Sequence, residues 1–201
     1  MTKAEWLGCA DPTPMLEFLS HKGSARKLRL LTAAVARGMD MLDLAATCEQ
    51  VAEGRITPRS LRLRCSTVLS PRTPRPVGQP TPQLVGPPMP NHRQTMVIAA
   101  LRELPEAAAK DAVRLASSTI PKEIADAIRD LFGNPFRTLP SRPEAIAPLA
   151  EQIYAGQWEL MPLLGEWLQE HGYWSEGEHC LDPNSQHVKG CWVVDWVTGR
   201  E

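Results

Sequence analysis

Strand-forming aromatics are scarce in this chain. Two tyrosines and three phenylalanines occur in 201 positions, whereas alanine and leucine recur throughout, a balance that predicts helices over strands. No segment alternates polar and apolar residues over a useful length, so the usual mark of a half-buried strand is missing. Long apolar runs are missing too: "MVIAAL", residues 96–101, is far too short to cross a bilayer. The start, "MTKAEWLGCADPTP", has charges and a tryptophan where a secretory leader has an apolar centre, so no signal peptide is expected. Five cysteines, an odd and scattered set, make no disulfide framework and point to reduced thiols in the cytoplasm.

Catalytic signatures are absent as well. There is no GxSxG, GxxxxGK[ST], HExxH or GxGxxG. Glu170-His171 and Glu178-His179 set carboxylates beside imidazoles, but sequence neighbours point different ways on a helix. No nucleophile, base and orienting group assemble from the pattern. A non-catalytic protein is expected.

Excess charge is also missing, but only in the sum. The net charge of −1 gives no overall field toward nucleic acid or membrane. Between Arg55 and Arg102 there are eight arginines and no acidic residue, while residues 141–201 hold ten acidic against three basic side chains. Arg62, Arg64, Arg72 and Arg75 are candidate contacts to phosphate or to a partner, since guanidinium matches phosphate geometry. Aromatic residues are not interleaved with them, which argues against a single-strand platform.

What is present reads as helices with caps. Asp11 before Pro12 and Ser24 before Leu28, Leu31 and Val35 mark two starts, and Gly38 a stop. A third helix runs through 40–53, and Thr57-Pro58 begins a short fourth. Eight prolines in residues 71–90 exclude helix interior and central strand, so 67–93 reads as a linker or poorly ordered loop. Beyond it, 94–104 and 106–117 are Ala-rich helices broken at Pro105, and "PKEIADAIRDLFG" carries Ile124, Ile128, Leu131 and Phe132 on one face. "LFGNPFR", residues 131–137, is a helix stop and turn. Ile146–Tyr154 and Leu160–Leu168 repeat the helical stripe over a short connection, which predicts an antiparallel hairpin. "CWVVDWV" is expected as a last helix ending at Gly199. The predicted fold is an all-α, irregular multi-helix bundle with segments 1–66 and 94–201 flanking the linker.

Two features carry chemistry. Trp158, Trp167, Trp174, Trp192 and Trp196 crowd the last 44 residues, and exposed members would mark a partner surface. In "HCLDPNSQHVKGC", His179, Cys180, His187 and Cys191 fall within thirteen positions. With 187–191 helical, His187 and Cys191 share a face, and the Asp182-Pro183-Asn184 loop could return His179 or Cys180 to them. Four soft or borderline ligands would suit tetrahedral Zn²⁺. No CxxC knuckle is present, and buried cysteines often only pack, so packing remains the alternative.

"EWLGCADPTPMLEFL", "RKLRLL", "LFGNPFR" and "HCLDPNSQHVKGCWVVDWVTGRE" resemble a paralogous planctomycete protein family over residues 1–65 and 120–201. The resemblance implies that the two ends pack as one unit, and it implies no activity. Relatives carry cysteines after "RKLRL", where this chain has Ala33, Val35 and Ala36. A metal site shared with Cys9 would here have lost part of its ligands.

The sequence thus leads to a non-catalytic cytoplasmic interaction or scaffold module with an unidentified protein partner, no membrane span and no cofactor. A structural zinc protein and nucleic-acid contact through the arginines are the alternatives.

Overall fold

The computed structural model describes residues 1–19, 22–60, 95–96, 99–100, 102 and 104–200. The fold is all-α, and no strand occurs among the described residues. Nor is any helix among them long and apolar enough to cross a membrane.

Helix α1 (Lys3–Gly8) opens with a capping box. The Thr2 hydroxyl accepts from the Glu5 amide at 3.3 Å and the Glu5 carboxylate accepts from the Thr2 amide at 2.7 Å. Helix α2 (Pro12–Phe18) starts where Asp11 accepts from the Thr13 amide, and α3 (Ala25–Gly38) where Ser24 accepts from the Lys27 amide. Both caps are those the sequence predicts. Helix α4 (Leu42–Ala52) follows, and residues 58–60 are helical. The proline-rich run lies outside the described residues.

Helices α5 (Pro105–Ala116) and α6 (Pro121–Phe132) each begin on a proline, whose missing amide would have had no helical partner there. Pro105, where the sequence pattern is interrupted, is the first residue of α5. At the end of α6 Gly133 takes φ +63°, Asn134 accepts from the Phe136 amide at 3.0 Å, and the Trp6 indole donates to the Gly133 carbonyl at 3.0 Å. That bond ties the turn to α1. Helices α7 (Ala147–Tyr154), α8 (Met161–Glu170), α9 (Trp174–Leu181) and α10 (Trp192–Thr198) complete the chain, and Gly199 ends α10 in the left-handed region.

Two apolar clusters result. The first takes Trp6, Met15, Leu30, Leu31, Ile124, Ile128 and Leu131 from α1–α6. The second takes Ile153, Leu164, Leu168, Cys191, Val194 and Val197 from α7–α10. The buried members of the first cluster run as far as Leu131 and those of the second begin at Ala150. Ala33, Val35 and Ala36 all lie buried in the first cluster.

Within the second cluster α8 packs chiefly on α9, and α7 on α10, in place of the expected α7–α8 hairpin. Gly165 and Gly177 supply the reason. A Cβ on Gly177 would stand 2.6 Å from the Gly165 carbonyl oxygen, and one on Gly165 would stand 3.0 Å from that of Gly177. Two bare backbones approach where no side chain fits.

Candidate metal centre

Asp130 lies on α6, 4% exposed at the edge of its apolar face. The first helix cluster thus presents a carboxylate to the second. His179 is in the last turn of α9. After it, Asp182 accepts from the Asn184 amide at 2.9 Å and the Ser185 hydroxyl at 3.1 Å, and this tight turn brings the chain back. Residues 187–191 are not helical, so the condition for a shared helix face of His187 and Cys191 is not met; the segment turns at Lys189 and Gly190, closed by the Cys191 amide on the Val188 carbonyl at 3.0 Å. Gly190 seats that turn at φ +89°, where a Cβ would meet Leu30 at 2.5 Å. Cys191 is the N-cap residue of α10 and fully buried.

These elements bring Asp130, His179, His187 and Cys191 together, with one ligand atom of each within 4.8 Å of the others. His187 Nδ1 lies 2.8 Å and His179 Nε2 3.1 Å from Asp130 Oδ1. His179 Nε2 also lies 3.3 Å from Cys191 Sγ. The second Asp130 oxygen accepts from the Val188 amide at 2.8 Å, which fixes the carboxylate plane.

The same imidazole nitrogen faces both the carboxylate and the sulfur. In a Cys-His-Asp relay the acid orients one ring nitrogen while the other takes the thiol proton. Here the four donor atoms instead gather within 4.8 Å of one another. A tetrahedron with bonds of about 2.0–2.3 Å has edges of roughly 3.3–3.8 Å; the 3.1 and 3.3 Å contacts of His179 lie at or just under that range and the 2.8 Å His187–Asp130 contact lies below it, so an ion would spread the group. Two imidazoles, one carboxylate and one thiol form a borderline set that suits Zn²⁺.

Burial alone would raise the Asp130 carboxyl, but hydrogen bonds and charge from His179 and His187 outweigh it and hold the group below its ordinary value. Burial pushes the Cys191 thiol well up, Asp130 and Cys180 add to this, and the Val194 and Val193 amides oppose it. A cation bound there would displace that thiol proton. Around the centre, the Trp192 ring lies 5.2 Å from that of His179 and carries the Arg137 guanidinium at 3.9 Å. Arg137 in turn donates to Ser175 at 2.6 Å and lies 3.3 Å from the buried Glu176 carboxylate.

Of the residues named from sequence, His179, His187 and Cys191 belong to the group. Cys180 does not. One helical step turns it away from His179, and its Cβ lies 3.0 Å from where a Gly165 Cβ would be. Cys180 packs against α8. Cys9 is also outside the group, its thiol donating to the Asp11 carbonyl at 3.2 Å. Asp130 was missed: it stands 49 residues before His179, and no ligand spacing spans that interval. Its one trace is an acid bordering an otherwise apolar helix face. Arg62, Arg64, Arg72 and Arg75 lie outside the described residues. The chain matches no protein-family model, no curated protein and no solved structure.

Proposed function

We propose that this chain is a small, non-catalytic helical module organised around one structural Zn²⁺ held by Asp130, His179, His187 and Cys191. The observation that carries the reading is the double use of His179 Nε2, at 3.1 Å from the Asp130 carboxylate and 3.3 Å from the Cys191 sulfur. That gathering of donor atoms supports their service as ligands of one ion. Four protein donors fill a tetrahedron and leave no position for substrate, as in structural zinc sites. The ion would join α6 of the first cluster to α9 and α10 of the second, so its work is to hold the two halves in one arrangement. Free thiols at Cys9, Cys48, Cys180 and Cys191 support a reducing, cytoplasmic setting.

Elemental analysis of the purified chain tests the reading. One zinc per chain is expected, with a lowered melting temperature after chelation. Less than about a tenth of an equivalent after zinc supplementation, with melting unmoved by chelator, overturns it.

A further inference from the structure

Trp192 also lines an open cavity of about 590 Å³ between the start of α3, the end of α6 and one face of α10. We infer that this cavity binds a small molecule with a flat ring and a terminal anionic group. The inference does not depend on the zinc reading. The volume falls in the range of small-molecule sites, which combine apolar walls with a few polar groups.

The walls are aromatic and already fixed. Phe132, Trp192 and Trp196 line the cavity, with Leu139 at its edge. The Trp196 indole donates to the Pro140 carbonyl at 3.2 Å and meets the Tyr173 ring edge-on at 5.4 Å. Trp192 is held beneath Arg137. A flat ring entering between them would cost little further ordering of the protein.

The rim is cationic. Lys22 has no carboxylate partner among the described residues and lies over the Phe18 ring at 3.9 Å. Arg142 pairs at 3.2 Å with Glu144, which is 80% exposed, and a surface pair of that kind exchanges readily. The remaining lining charges are committed. Arg200 holds both oxygens of Glu151 at 2.8 and 2.6 Å, and Lys27 lies 2.7 Å from Asp195. Asp195, the one acidic lining residue described, is neutralised by Lys27 and Arg26. Lys22 and Arg142 are left to meet an anion at the mouth while the ring lies inside.

A carboxylate or a phosphate would satisfy this rim, and calorimetry of the whole chain with indole-3-acetate and with adenosine monophosphate separates the two. Saturable one-site binding of at least one probe is expected, and the probe that binds names the anion. Lys22→Ala with Arg142→Ala, and separately Leu139→Glu, are expected to weaken it about tenfold or more. All three positions are exposed, and melting curves should be unmoved. No saturable binding of either probe up to about 10 mM, or an affinity the variants leave unchanged, overturns the inference.

Discussion

The guanidinium of Arg26 on α3 grips both carboxylate oxygens of Asp195 on α10, at 2.8 and 3.1 Å, across 169 residues of sequence. Lys27 adds a third contact to the same carboxylate at 2.7 Å and donates to the Leu131 and Gly190 carbonyls at 2.7 and 2.8 Å. The two apolar clusters therefore meet across a hydrogen-bonded ion group, with Asp195 buried and Arg26 and Lys27 half-buried, next to the candidate metal centre.

Asp195→Ala should destabilise the fold by about 1–3 kcal/mol, because half-buried Lys27 loses its carboxylate and half-buried Arg26 keeps only Glu53, at 3.4 Å. Chemical denaturation measures this directly. Replacing the exposed Glu144 partner of Arg142 should change stability by no more than about 1 kcal/mol.

Tyr154 should give the fold an alkaline limit. Burial and the Glu53 carboxylate push its phenol above the ordinary value, and Arg26, which donates to it at 2.6 Å, pulls back only in part. The native state thus favours the neutral phenol. That contribution is present below pH 10 and is lost as pH rises from there toward the folded value. At pH 11 the native absorbance change at 295 nm should fall short of the denatured chain's by about one tyrosine, and Tyr154→Phe should remove the shortfall.

Gly177→Ala should cost about 1–3 kcal/mol, although alanine is the better helix former. The added Cβ would stand 2.6 Å from a backbone carbonyl that cannot move alone. Gly8→Ala, whose Cβ meets nothing within 4 Å, should stay within about 0.5 kcal/mol. Equal effects from the two in urea denaturation would refute the close α8–α9 contact.

The two neighbouring thiols should separate in a cobalt spectrum. With Co²⁺ in place of Zn²⁺, sulfur-to-metal charge transfer should persist in Cys180→Ser and vanish in Cys191→Ser, while Asp130→Ala should weaken binding at least about tenfold. Retention of the band in Cys191→Ser would remove the assigned ligand set.

Much of this fold was legible in sequence because it is written in local chemistry. Asp11 and Ser24 cap helices through amides two or three residues away. Gly133 and Gly199 stop them through positive φ. His179, His187 and Cys191 could be named because a short turn joins them. All of these depend on neighbours along the chain, and a residue's type is enough to declare them.

Packing decided the rest. The α8–α9 pairing rests on two glycines whose meaning is the space they leave. Asp130 joins His179 and His187 only because α6 lies beside the returning loop, and Cys180 is turned away by the same helix that offers His179. One sequence fixes where each helix begins and ends, since capping and periodicity act within a few residues. Which faces then meet depends on the shape and volume of surfaces far apart in the chain, and only the assembled tertiary structure brings those surfaces into contact.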